Sequence, residues 1–245
     1  MTSAPLTVAA DPAWPGPTVG VIGGNGPAAT ALYLKLLVDR TPAKRDQDHL
    51  DLIVLDHASQ PDRTARILSD DAPDPGPVLA RDAARLEAYG AAFITIPCNT
   101  AYHFLPQISS ATTLPIISIV EETAKAAIAR GPRVGLLATD GTRAAGVYQK
   151  VLDALGAQIV LPSEEDQRLV MSVIYDGVKA GGPVDVEGLE AVIGRLSAGS
   201  DVVALGCTEL SIVYDEQGWR GRPELVDSVE SLVLATIRQA GRTPR

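Results

Sequence analysis

The 245-residue chain predicts an α/β fold of two pseudo-symmetric domains, each a mainly parallel sheet flanked by helices, with the functional site in the cleft between them. Three observations predict it. Short aliphatic runs alternate with longer helical patterns, the pattern of parallel βα units. The first half of the chain is echoed in the second. The two cysteines, Cys98 and Cys207, occupy matching places in that echo.

In chain order, strands are read at Val19–Ile22, Leu52–Leu55, Ala92–Ile96 and Pro115–Ser118 in the first half. Val134–Leu137, Gln158–Leu161, Val202–Leu205 and a weak Leu225-Val226 follow in the second. These runs are apolar on both faces, as strands covered by helices on either side must be. Helical patterns lie at Ala28–Val38, Val78–Tyr89, Glu121–Arg130, Thr142–Leu155, Glu164–Lys179 and Val186–Leu196. Ser163 followed by Asp166 has the form of a helix N-cap, and Gly-Pro pairs mark breaks. The N-terminal domain is expected to hold residues 1–117 plus 225–245, and the C-terminal domain residues 118–224. Met1–Pro17 is rich in Ala and Pro and lacks Lys and Arg, so it reads as a flexible tail rather than a secretory signal.

The echo is specific. TVGVIGGNGPAATALYLKLL (Thr18–Leu37) aligns with RVGLLATDGTRAAGVYQKVL (Arg133–Leu152), so that Val19/Val134, Gly20/Gly135, Gly26/Gly141, Ala29/Ala144, Tyr33/Tyr148 and Lys35/Lys150 coincide. Further on, AAFITIPCNT around Cys98 matches DVVALGCTE around Cys207. Two matches in the same order, the second superposing the cysteines, indicate a duplication. Each cysteine then ends an equivalent strand, where ligands sit in open α/β sheets.

Composition narrows the function. Lys plus Arg is 21 against 30 Asp plus Glu, a net charge of −9, and no basic run is present. That balance argues against nucleic acid or an anionic membrane surface as partner. No apolar run approaches the roughly 18 residues that span a bilayer, so a cytoplasmic location is expected. Two widely separated cysteines make neither a zinc motif nor a disulfide scaffold. His57 and His103 have no ligand cluster around them, so no metal is expected. Ser59 and Ser211 lack a nucleophile elbow.

Each cysteine follows an apolar strand and a turn residue (Pro97, Gly206) and precedes a polar pair, Asn99-Thr100 or Thr208-Glu209, that opens a helix. The positive end of a helix lowers a thiol pKa and offers N–H groups to a carboxylate. Two opposed thiols suit removal of a proton from one face of a carbon and its return to the other. The loop Gly23–Ala29 fits Gly24-x-Gly26-x-x-Ala29 with Asp56 beyond it, formally a dinucleotide fingerprint. Its counterpart Thr139-Asp-Gly-Thr142 lacks that pattern, which favours a loop lining a shared cleft. Arg63 and Lys179 are cations beside turn residues, a position that composition alone does not distinguish from solvated surface.

The motifs GGNGPAAT (23–30), TPAKRDQDH (41–49), PDRT (61–64), PCNTA (97–101), EETAK (121–125), LLATDGT (136–142), EEDQ (164–167), GVKAG (177–181) and GCTEL (206–210) resemble, in this order, the cofactor-independent aspartate/glutamate racemase family, and aspartate racemases within it. The resemblance runs from about Thr18 to about Asp227 and argues against the dinucleotide reading. It implies two related α/β domains with the C-terminal helix returning to the first, a homodimer, and chemistry on a small amino-acid substrate without pyridoxal phosphate, metal or nucleotide. Cys98 and Cys207 match the catalytic pair, Cys98 serving the D- and Cys207 the L-enantiomer. Asn99, Thr100 and Thr208 match positions that hold the α-carboxylate. Arg63 and Lys179 match cations that receive an acidic side chain, and Asn25 and Thr139 fall in the matching cleft loops. A preorganised, positively polarised surround is what a carbanion next to a carboxylate requires.

Two positions depart from the pattern. Asn25 stands where Met is common, which turns a polar group toward the ligand. Asp56-His57 stands where an asparagine-containing pair is typical, and a carboxylate there repels a second substrate carboxylate unless His57 or Arg63 neutralises it. Both departures leave racemase activity more firmly supported than strict aspartate specificity: aspartate is the leading substrate, with glutamate or a broader range of amino acids as the alternative. Isomerase or decarboxylase chemistry on a small diacid or hydantoin, and a non-catalytic amino-acid-binding protein on the same scaffold, are the remaining readings.

Overall fold

The computed structural model describes residues 16–245; the expected tail lies, up to residue 15, outside the described residues. The first half runs β1 (Val19–Gly23), α1 (Pro27–Arg40), β2 (Leu52–Asp56), α2 (Arg63–Leu68), α3 (Gly76–Ala88), β3 (Phe93–Thr95), a 3-10 turn Thr100–Phe104, α4 (Leu105–Ser109), β4 (Ile116–Ile117) and α5 (Ile119–Ile128). The second runs β5 (Arg133–Leu137), α6 (Asp140–Ala145), α7 (Val147–Ala154), β6 (Gln158–Val160), α8 (Glu164–Ser172) with a π-helical extension Val173–Lys179, α9 (Val186–Ser197), β7 (Val202–Leu205), α10 (Thr208–Glu216), β8 (Leu225–Asp227) and α11 (Ser228–Gln239).

Each half builds a four-stranded sheet, in the orders β2-β1-β3-β4 and β6-β5-β7-β8. All described pairings are parallel, with Val19 set between Leu52 and Phe93 and Val134 between Ile159 and Val202. The same strand order in both sheets is the physical form of the sequence echo. The central strands β1, β3 and β7 are buried along their whole length, which is why they read as unbroken apolar runs.

Helix starts follow capping chemistry. Ser163 Oγ accepts the Asp166 N–H at 3.1 Å, as the sequence predicts. Ser118, Thr139, Asp62 and Asp227 cap α5, α6, α2 and α11 in the same way, each satisfying an otherwise orphaned backbone donor.

Three differences from the expected elements have local causes. The single helix expected over Thr142–Leu155 is two, because Gly146 adopts φ +63°, a left-handed conformation that ends α6 and starts α7. The helix expected over Glu164–Lys179 changes to π-helix from Val173, which widens its last turns before Lys179. The return to the first unit begins later than residue 225: Leu225–Asp227 pairs with β7 in the second sheet, and only α11 crosses over to pack on α1 and α5. By the same symmetry α5 leaves β4 and packs on β5, β7 and β8. The two units thus exchange a helix, and one apolar cluster runs from Val21 and Tyr33 through Val120 and Val233 to Val134 and Tyr148.

Candidate active site

β3 ends three residues before Cys98, and β7 two residues before Cys207, at equivalent strand ends. Both sulfurs are free thiols, 6% and 5% exposed, and both line one chamber between the units. Its wall consists of Asn25, Asp62, Arg63, Thr64, Cys98, Asn99, Thr100, Thr139, Lys179, Cys207, Thr208 and Glu209. All nine residues singled out in the sequence are in that wall. Asp62, Thr64 and Glu209 are additional. Asp62 and Thr64 sit in the PDRT motif around Arg63, and Glu209 sits in the polar pair after Cys207, so each was signalled by a neighbour.

The chamber is tight, with free room of about 10 Å³, about one water molecule. It adjoins a vestibule of about 310 Å³. Asn25, Asp62, Arg63, Lys179 and Glu209 line both spaces and form the partition. Arg63 donates from its guanidinium to the backbone carbonyls of Pro61 (3.0 Å) and Asn25 (2.5 Å). Lys179 Nζ stands 3.7 Å from Asp62 and 3.9 Å from Glu209 and 4.2 Å above the Tyr175 ring. Burial works against the Lys179 charge, but Glu209, Cys207, Tyr175 and Asp62 outweigh it and hold the ammonium above its ordinary pKa. Two cations and two carboxylates thus balance across the partition.

Four threonines from three elements, Thr64 of α2, Thr100 of the 3-10 turn, and Thr139 and Thr142 at the start of α6, meet beneath the chamber. Thr100 Oγ1 is 2.8 Å from Thr142 Oγ1, Thr139 Oγ1 is 3.0 Å from Thr142 Oγ1, and Thr64 Oγ1 is 3.3 Å from Thr139 Oγ1. Thr64 and Thr100 come from the first unit, Thr139 and Thr142 from the second. The close fit depends on Gly141, where a Cβ would lie 2.7 Å from Thr64 Cα.

The thiols are not equivalent. Cys207 forms the N-cap of α10 but caps nothing through its side chain. Its Sγ donates instead to Glu209 Oε2 at 3.0 Å, which also accepts from Thr208 Oγ1 at 3.3 Å. Burial, with Glu209 adding to it, pushes the Cys207 thiol well above its ordinary pKa. The helix terminus alone predicts a lowered value; desolvation and the adjacent carboxylate win, and Cys207 holds its proton. The residue two places after Cys98 is Thr100, so no carboxylate takes the equivalent position.

Asn99 is held at both ends of its amide: Oδ1 accepts the Tyr148 hydroxyl at 2.7 Å and Nδ2 donates to Ser228 Oγ at 3.0 Å. Asn25 Nδ2 reaches the Ile22 carbonyl at 3.4 Å, and its Oδ1 has no partner. The concern over Asp56-His57 is answered differently from the sequence expectation. Asp56 is exposed and lines neither space, while His57 Nδ1 pairs with Asp82 at 3.0 Å. Among the described residues no cluster of three or more His, Cys, Asp and Glu side chains forms a metal-ligand group, and no helix is long and apolar enough to cross a membrane.

Two parallel α/β sheets of equal strand order thus bring a thiol from each unit to one chamber. A family model described as Asp/Glu/hydantoin racemase matches residues 22–236, and the chain belongs to that family of isomerases. It is 26% identical to the broad specificity amino-acid racemase RacX of Bacillus subtilis (strain 168) over 224 residues, 89% of this chain and 96% of the relative. Among solved structures, the Picrophilus torridus aspartate racemase aligns with a TM-score of 0.82 at 28% identity, covering 94% of this chain and 96% of that one. The glutamate racemase of Francisella tularensis subsp. tularensis SCHU S4, solved in complex with D-glutamate, shares the fold at a TM-score of 0.62 and 17% identity, over 91% of this chain and 81% of that one.

Proposed function

We propose that the chain interconverts L- and D-amino acids, aspartate foremost, by moving the α-hydrogen through Cys98 and Cys207 without an organic cofactor. The observation that carries this reading is the pair of buried free thiols lining one chamber. One thiolate takes the α-proton as the Cα–H bond breaks, and the electron pair spreads into the carboxylate. The other thiol delivers its proton to the opposite face, so the product differs only in configuration and the two sulfurs have exchanged protonation states.

The Cys207–Glu209 bond gives the cycle a starting point. With Cys207 protonated, Cys98 is the base and Cys207 the acid, which by the family resemblance is the form that accepts the D-enantiomer. For the reverse direction Cys207 gives up its proton, and Glu209 Oε2 at 3.0 Å is the acceptor within reach. The substrate carboxylate meets donors at Asn99, Thr100 and Thr208, with the N-terminus of α10 adding its partial positive charge. Arg63 and Lys179 receive a side-chain carboxylate, the bidentate guanidinium fixing its plane. Because the thiol chamber is nearly filled, entry displaces the partition of Arg63 and Lys179 and excludes water behind the substrate. Exclusion of water strengthens every charge interaction inside.

A broader substrate range is favoured by two observations. Asn25 adds an unpartnered amide oxygen to the partition, and each cation there already has a partner, so a second carboxylate must compete for it. The similarity to RacX over nearly its full length supports the same alternative. A chiral-product assay over the common amino acids, run without added cofactor, tests both. Racemisation of aspartate alone supports the narrower reading, and racemisation of several neutral or basic amino acids the broader one. Racemisation of none rejects the proposal, and binding without turnover would then favour an amino-acid-binding protein. A homodimer is proposed on the family resemblance, and light scattering at assay concentration tests it.

A further inference from the structure

Tyr33 and Tyr148 hold matching places in the sequence echo and are both fully buried, yet their hydroxyls do different things. Tyr33 bonds to Thr95 at 3.1 Å and Thr236 at 2.8 Å, neither of which lines the chamber. Thr95 lies three residues before Cys98. The residue three before Cys207 is Ala204, which has no hydroxyl to offer. Tyr148 keeps a threonine beside it on the exchanged helix, Thr123 of α5, but in place of a Thr95 counterpart it reaches out of α7 in the second unit to Asn99 beside Cys98 in the first. The duplication has thus been broken at one partner, and the freed hydroxyl has been directed at the chamber wall.

We propose that Tyr148 is a positioning residue for substrate binding: its hydroxyl fixes the Asn99 amide so that donors, and not the amide oxygen, meet the substrate carboxylate. An amide carries one acceptor oxygen and two N–H donors. Oδ1 is occupied by the Tyr148 hydroxyl, and one Nδ2 proton by Ser228. What remains free is one Nδ2 proton and the backbone N–H. Without the hydroxyl, a buried oxygen is left unpaired, which is costly. The amide is then free to rotate and to present that oxygen to an anion, which it repels. Asn99 is 2% exposed and Ser228 fully buried, so water does not replace the lost partner. The bond also ties the Cys98 loop to the opposite unit, and Ser228 ties it to the start of α11. The Cys98 side of the chamber is therefore set by three distant stretches of chain.

This inference rests on the reading of Asn99 as a carboxylate donor, and its test separates the two. Tyr148→Phe and Tyr33→Phe each delete one buried hydroxyl from equivalent places, so both lower the urea midpoint of unfolding. Their kinetics differ. Tyr148→Phe raises KM for the best substrate about tenfold, the loss of roughly one hydrogen bond to a charged group, with a smaller change in kcat. Tyr33→Phe stays within about threefold of wild type, the context scatter of a single contact. Equal KM values for the two variants overturn the proposal. Calorimetric titration of aspartate into the same proteins reads binding independently of turnover. Weakened binding confined to Tyr148→Phe upholds the proposal even if racemisation is absent. A wild-type protein that binds no amino acid overturns it together with the carboxylate role of Asn99. If Tyr148→Phe does not fold, Ser228→Ala carries the same test from the other end of the amide, and Ser228→Thr, which keeps the hydroxyl, restores KM.

Discussion

Asp227 offers a prediction whose size follows from its surroundings. It ends β8, is 3% exposed, and caps α11 through Oδ1, which accepts the Glu230 N–H at 2.7 Å. Burial pushes its carboxyl up to about 6 from 3.8, against the pull of the Glu230 N–H and the charge of Arg220. Between those two values the folded protein holds a proton that the unfolded chain has released. Stability from this group is therefore fully present below pH 3.8 and is lost as pH rises through about 6. The gap corresponds to on the order of 3 kcal/mol. Asp227→Asn keeps a capping oxygen and removes the titration. Urea unfolding at a series of pH values from 4 to 8 should show the variant gaining on wild type by that amount as pH rises through 6, then running parallel above 7. Parallel curves over the whole range would refute the claim that an ionised carboxylate is buried at this point.

Replacing either Cys98 or Cys207 by Ala should lower racemisation by at least about 10²-fold with an unchanged far-ultraviolet circular dichroism spectrum; a fully active single variant rejects the two-thiol scheme. Arg63→Lys keeps the charge but removes the fork that now grips Pro61 and Asn25. KM for aspartate should rise about tenfold, and an unchanged KM would remove Arg63 from the binding of the acidic side chain. Gly141→Ala forces a methyl group against the Thr64 backbone. It should cost about 1–3 kcal/mol in a urea titration and reduce activity by parting α6 from α2, whereas wild-type stability would show that the contact yields freely.

The strands were the most legible part of the chain, because a parallel strand buried on both faces has no polar alternation to confuse it with an amphipathic helix. The cysteine loops were legible for a related reason: the echo around Cys98 and Cys207 places both at strand ends, and the topology brings those ends together. α2 escaped the helical pattern because Arg63–Leu68 spans only six residues, too few for a period to emerge, and its cap Asp62 reads equally well as a turn. Apolar spacing continues through both Gly146 and the π-helical turns before Lys179, so the period alone shows neither the left-handed φ that splits α6 from α7 nor the change of helix type. Glu209 stood in plain view beside Thr208, but its bond to Cys207 reverses the thiol shift that a helix terminus predicts, and only burial in three dimensions decides that contest. Tyr148 read as one more repeated residue. Its role emerges from what the repeat fails to repeat, the hydroxyl of Thr95 where the second half has Ala204.

The most direct measurement is deuterium incorporation at the α-carbon during the first few per cent of turnover in deuterated water, starting from a single enantiomer. Separate sulfurs on opposite faces predict that the newly formed enantiomer carries deuterium while the remaining starting enantiomer stays almost unlabelled. Product that retains the original hydrogen, or label appearing equally in both enantiomers from the outset, would mean that one group handles both faces, and the two-thiol account would be contradicted.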